Sequence, residues 1–122
     1  MKVLYPFVGD SIGGSHRSIL ELYSMLIDRS ITPIFVLHKI GALSDMLDSL
    51  NIQYEYIPIK SLAGDSPSLL RIFFSIAFLF FKLRKFIRKN KIDIVHGNDL
   101  RINLTWSLPT RLSGASYLWH QR

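Results

Sequence analysis

Cysteine does not occur among the 122 residues of this chain, which excludes a disulfide framework and a thiolate metal site. The four histidines, His16, His38, His96 and His120, stand far apart with no short ligand spacing, so no metal and no resident cofactor is expected. Glutamate is almost missing, with only Glu21 and Glu55. No acidic residue falls between Asp65 and Asp93, and Lys82, Arg84, Lys85, Arg88, Lys89 and Lys91 there account for the whole net charge of +6. The basic character is one local patch. No helix-turn-helix, RNP-like or zinc-finger pattern accompanies it, so nucleic acid is not an expected partner. The N-terminus has no apolar core of signal-peptide type, and a cytoplasmic location is the expectation.

What is present is globular: 48% apolar and 20% charged residues in a chain of one-domain size. Lys2-Val3-Leu4-Tyr5 reads as a strand, and Pro6 is awkward in a central strand, so this one should stop near Tyr5 or Phe7. Val8 to Arg17 is a glycine-rich turn, followed by Ile19, Leu22, Tyr23, Leu26 and Ile27 at helical spacing. Glycine tolerates positive φ and close approach, and a helix start offers unpaired N–H groups, so Gly13-Gly14 is a candidate phosphate site. A tight turn that merely joins strand to helix is the competing reading. Gly9 and Gly14 have P-loop spacing, but Ser15-His16 replaces Lys followed by Ser or Thr, which argues against an ATPase. The dinucleotide fingerprint fails as well, and the second strand, Ile34 to Leu37, leads into His38-Lys39 without an acidic ribose ligand.

Further along, a short helix near Ser44 and a strand over residues 52–59 continue a β-α-β-α-β order. Ser66 and Pro67 read as the start of a long helix reaching Asn90. Its segment Ile72 to Phe81 is apolar all round, yet ten helical residues span about 15 Å, half of a hydrocarbon layer of about 30 Å, and do not cross it. Two readings stay open: a core helix, or a peripheral contact with the inner face of a membrane. In the second, Phe73, Phe74, Phe78, Phe80 and Phe81 dip into the interface while Lys82, Arg84, Lys85, Arg88 and Lys89 meet anionic headgroups. Residues 91–96 form a fourth strand, and Asn98 or Asp99 caps the next helix. Pro109 should kink or end that helix, Gly114 marks its stop, and residues 115–119 form a fifth strand delivering His120-Gln121-Arg122.

The alternation implies a doubly wound, Rossmann-like parallel α/β sheet of about five strands. With strand order 3-2-1-4-5, the clusters Gly13 to Arg17, His96 to Asp99 and His120 to Arg122 converge at one edge. A glycine turn for phosphate, amide and carboxylate for hydroxyls, and His with Arg for charge suit a phosphorylated, hydroxyl-rich ligand such as a nucleotide sugar.

Gly13-Gly14-Ser15-His16-Arg17-Ser18, Asp93-Ile94-Val95-His96-Gly97-Asn98-Asp99 and Tyr117-Leu118-Trp119-His120-Gln121-Arg122 together resemble the N-terminal domain of family 4 glycosyltransferases. Those are retaining, nucleotide-sugar-dependent enzymes of the two-domain B-type fold. The resemblance implies that Gly13 and Gly14 lie near the donor diphosphate. It also implies that Ser15, His16, Asn98, Asp99 and Arg101 border a cleft for a glycan or lipid-linked acceptor, with His120 and Arg122 on its floor. Many relatives carry a histidine where Asn98 stands. His120 is the one candidate for a part in catalysis, and no complete catalytic set is present. The family keeps its main donor-binding residues, including two glutamates eight positions apart, on a C-terminal domain that this sequence does not contain. The resemblance thus implies residues 1–122 to be an N-terminal part, inactive alone: a fragment, a truncated reading frame or one subunit of a split enzyme. A non-enzymatic nucleotide-binding domain of Rossmann or flavodoxin type, with Lys39 meeting a phosphate, and a membrane-surface module are the alternatives.

Overall fold

The structure, a computed structural model, describes residues 1–10, 12–59 and 69–120, apart from the side chains of Ser15, Ser24 and residues 69–76. Strands β1 (Lys2–Phe7), β2 (Thr32–Leu37), β3 (Tyr54–Tyr56), β4 (Ile94–Gly97) and β5 (Ser116–Trp119) alternate with four helices. These are α1 (Gly14–Asp28), α2 (Ala42–Ser49), α3 (Leu69–Lys89) and α4 (Leu100–Ser113). All strand pairs are parallel, in the order β3-β2-β1-β4-β5. This is the expected doubly wound sheet, with β1 at its centre.

Alternation along β1 divides its side chains between two cores. Val3, Tyr5 and Phe7 face Ile19 of α1 and Leu43 and Leu47 of α2. Leu4 faces the opposite way, where Leu83 and Ile87 of α3 and Ile102 and Trp106 of α4 cover Val36 and Val95. Both faces of β1 are therefore used, which is why its residues form a nearly continuous apolar run.

Pro6 sits inside β1 and pairs in register with Val36. Met1 and Phe7 turn their carbonyls to β2 while Lys2 turns its carbonyl to the β4 side, so by alternation Pro6 faces β4. There the ladder runs only over Val3 and Leu4. The missing N–H therefore falls just past the paired stretch.

Several boundaries differ from expectation. Strand β2 starts two residues early, with Pro33 inside it, and β3 is confined to three residues. Ile57 and Ile59 are buried beyond its end, and the Ile57 N–H still donates to the Leu37 carbonyl at 2.9 Å, so hydrogen bonding to β2 outlasts the strand by one residue. Helix α2 begins at Ala42 after Gly41, and Ser44 is its third residue, accepting from the Gly41 N–H at 2.9 Å. In its described part helix α3 buries Leu83 and Ile87 and exposes Phe78 and Phe81, while the first half of the apolar segment Ile72 to Phe81 and the proposed cap Ser66 with Pro67 lie outside the described side chains and residues. Pro109 does not end α4, which runs on to Ser113 and stops at Gly114 in the left-handed conformation, φ 89°. No described helix is long and apolar enough to cross a membrane.

Candidate functional site

In a parallel sheet all strands deliver their C-terminal loops to one edge, and here the loops after β1 and β2 are stitched together first. Lys39 N–H donates to the Val8 carbonyl at 2.7 Å and His38 N–H to that of Phe7 at 3.1 Å. Gly9 has φ +99°, and a Cβ there would collide with the Lys39 carbonyl. The positive φ expected of the Gly-Gly turn thus belongs to Gly9, where the chain must reverse against its neighbour.

Gly13 instead has φ −111° and ψ 179°, ordinary extended backbone at the N-cap of α1. A Cβ on it would meet only the His16 ring, at 3.5 Å, so the fold does not demand glycine at this position. His16 Nδ1 accepts from the Gly13 N–H at 2.7 Å, and its ring packs edge-on against Phe7 at 4.7 Å. The first-turn amides of Gly14, Ser15 and His16 have no acceptor within the helix and point past its start. Burial pushes the His16 pKa down, opposed by the negative charges of Asp99 and Asp10.

Those two aspartates join the β1 turn to the tip after β4. Asp99 caps α4: its Oδ1 accepts from Arg101 N–H at 2.7 Å and Ile102 N–H at 3.3 Å. Its Oδ2 meets the Arg101 guanidinium at 3.5 Å, and the same guanidinium lies 3.8 Å from Asp10. These pairs are exposed enough to be worth about 0–1 kcal/mol. Their meaning is positional, since one cation touches both loops. Asp99 is the cap and Asn98 is not; the Asn98 amide reaches only the His96 carbonyl, at 3.5 Å.

The third tip joins through rings. His96 lies between Tyr5 of β1, at 5.4 Å, and His120, stacked at 5.8 Å beyond β5. Its pKa is lowered by burial and then by the nearby His120, and among the described residues its buried Nε2 has no hydrogen-bond partner. His120 is anchored by its N–H to the Gly97 carbonyl at 2.9 Å. Arg122 and the side chain of Ser15 lie outside what the structure describes.

Two features of this rim escaped the sequence reading. Asp10 is one. The other is the Tyr117 hydroxyl donating to Asn103 Oδ1 at 2.6 Å beneath Gly97, where any Cβ would strike both groups. Burial, and secondarily Asp99, push the Tyr117 phenol far above its usual range, so it stays a donor. A Gly at the end of a strand carries no sequence mark of such a bond six and twenty residues away.

A groove of about 910 Å³ lies at the other end of the sheet, lined by the starts of β2 and β3 together with Asp48, Asn51 and Asn90. It does not include any residue of the three tips.

No protein-family model and no curated protein matches the sequence. Solved structures do match in fold. MurG from Acinetobacter baumannii aligns at a TM-score of 0.73 with 21% identity, covering 98% of this chain and 34% of that one. A glycosyltransferase from Rickettsia africae aligns at 0.69 with 23% identity, covering 97% and 28%. HepE from Anabaena, solved in complex with UDP, aligns at 0.68 with 18% identity, covering 98% and 29%. The chain thus spans about a third or less of these structures. At such identities the likeness is one of fold: a Rossmann-like α/β unit of the kind that occurs within two-domain B-type glycosyltransferases.

Proposed function

We propose that residues 1–122 form the N-terminal, acceptor-side part of a retaining family 4 glycosyltransferase. The complete enzyme would transfer a sugar from a nucleotide-sugar donor to a glycan or lipid-linked acceptor, and this part is inactive alone. The observation that carries the reading is the meeting of the β1 turn and the β4 tip at one rim, bridged by Arg101 to Asp10 and Asp99. A fold shared with a glycosyltransferase and with a UDP-bound protein supports it.

In this reading Gly13 and Gly14 let the donor diphosphate approach the open amides of α1. His16, a neutral ring whose Nδ1 is already committed to Gly13, offers Nε2–H to a sugar hydroxyl. Asn98, with its loosely held amide, takes a second hydroxyl, and Asp99 with Arg101 sets the charge at the cleft wall. Ser15, His120 and Arg122 complete the acceptor side. The rim's share of catalysis is positioning and stabilisation of the leaving diphosphate, with the rest supplied by a C-terminal domain.

Joining this chain to the donor-binding domain of a B-type transferase should give sugar transfer from a nucleotide sugar, lost on Asn98→Ala together with Asp99→Ala. Tight NADP binding by the chain, with no response to any nucleotide sugar, would replace this reading with a dinucleotide-binding module that uses Lys39.

A further inference from the structure

We propose that the outer edge of β5 and the leucine row of α4 beside it form a self-complementary interface, with a second copy of this chain as its occupant. Leu104, Leu108 and Leu112 follow one another at steps of four and share one side of α4. They are 68%, 56% and 54% exposed, whereas Ile102 and Trp106, on the inner side, are buried. Leu108 also lines a groove of about 680 Å³ with Arg111, Ser116, Tyr117 and Trp119, so the row stands next to β5.

The strand order makes β3 and β5 the two edges of the described sheet, and the two are not guarded alike. An edge strand invites pairing with another chain unless charge, proline or shortness blocks it. Strand β3 has three residues, carries the exposed Glu55 and is followed by Pro58. Ala115 to His120, by contrast, contains no Asp, Glu, Lys, Arg or Pro. The Ser116 and His120 N–H groups donate to the Asp93 and Gly97 carbonyls on the β4 side, so by alternation Tyr117 turns its own N–H and C=O outward. Set antiparallel about a two-fold axis, each Tyr117 donates its N–H to the Tyr117 carbonyl of the other copy. That closed pair leaves no place for a third chain.

Area and charge select the occupant. Leu104, Leu108, Leu112, Leu118 and Trp119 expose on the order of 500 Å² per copy, more than a monomer usually leaves in one patch. Doubled, and with Arg111, Ser107 and Ser116 at the margin, this meets the roughly 1,200 Å² at which specific interfaces begin. Helix α4 carries no acidic residue, and of its two arginines Arg101 is held by Asp10 and Asp99. Arg111 can keep its guanidinium in water while its stem lies along the margin. So nearly uncharged a patch matches its own copy and offers little to a strongly acidic or basic partner. A bilayer would cover the leucines but supply no hydrogen bonds to the Tyr117 backbone. Opposed β5 strands send the two C-terminal sheet edges in opposite directions, so both rims stay open. The proposal is therefore independent of the sugar-transfer reading.

Sedimentation equilibrium of the 122-residue chain tests it. Between about 2 and about 200 µM the mass should rise from 14.1 kDa to a plateau at twice that value. Added salt should strengthen association or leave it unchanged, since each copy carries a net charge of +6. Leu104→Glu with Leu108→Glu should raise the dissociation constant on the order of a hundredfold. Leu118→Lys, which puts a charge on the edge strand, should also weaken the dimer. Leu22→Ser, at a 47% exposed position on α1, should leave it unchanged. Exchange of the Tyr117 amide with deuterium should slow as concentration rises. A chain that stays at 14.1 kDa throughout overturns the proposal. So do a dimer indifferent to the leucine pair, a mass that grows past twofold without a plateau, and dissociation by salt. If the leucine pair does not fold by circular dichroism, the unaltered chain decides: Tyr117 exchange independent of concentration overturns the proposal as well.

Discussion

Three glycines at the rim differ in what holds them. A Cβ at Gly9 would run into the Lys39 carbonyl under a positive φ, and one at Gly97 would enter the Tyr117–Asn103 hydrogen bond. At Gly13 it would meet only a ring, at ordinary contact distance. Gly9→Ala and Gly97→Ala should therefore each lower stability by about 1–3 kcal/mol in urea unfolding. Gly13→Ala should cost about 1 kcal/mol or less, the usual difference at an N-cap. In the joined two-domain protein the same Gly13→Ala should weaken nucleotide-sugar binding at least tenfold. Unchanged affinity would leave Gly13 as a plain turn residue. Composition alone could not separate these glycines, because what distinguishes them is the carbonyl or hydroxyl that the fold brings against each.

Helices and strands are joined by a second buried device, away from the rim tips. Trp106 Nε1–H of α4 donates to His38 Nε2 at 2.9 Å, and His38 Nδ1 is 2.8 Å from the Ile57 carbonyl. Indole is only a donor, so His38 is a neutral ring with its proton on Nδ1, donated to Ile57. This clasp ties the ends of β2 and β3 to α4. Burial lowers the His38 pKa, with the Ile57 bond partly opposing, and no charged group enters the shift. The unfolded chain then binds more protons than the folded one below the ordinary histidine value, about 6.5. Stability should be full above that pH and fall as the solution is acidified through it, by at most about 1.4 kcal/mol per pH unit for this ring. His16 and His96, also lowered, act in the same direction. Chemical unfolding between pH 5 and 8 should show a shallower acid slope for His38→Phe than for the unaltered chain; an identical slope would exclude the clasp as a contributor.

Element order, strand order and one-edge convergence were legible because they follow from alternation and crossover rules. The clasp was not, since Trp106 lies 68 residues from His38 and periodicity carries no partner information. Helix α4 shows the same limit: Ile102 and Trp106 are buried while Leu104 and Leu108, equally apolar, are exposed. The pattern identifies a helix, and its rotation is fixed only by the sheet beneath it. At the rim, Asn98 and Asp99 were equally good caps on paper, and the structure distinguishes them by two hydrogen bonds to Asp99.

For the whole molecule, the rim tips share no residue with the groove at the other end of the sheet or with the basic stripe on α3, while that groove, which includes Asn90, adjoins the Arg88–Lys89 end of the stripe. The three tips occupy the C-terminal edge of the sheet, the 910 Å³ groove its other end, and the basic stripe the outside of α3. Amide chemical-shift mapping on the 15N-labelled chain, titrated with UDP-sugars, reads all three at once. The account predicts shifts clustered at Gly13, Gly14, His16, Asn98, Asp99 and His120, with the α3 stripe and the starts of β2 and β3 unmoved. Shifts confined to the Thr32–Glu55 groove, or their absence at every rim amide at millimolar ligand, would contradict it.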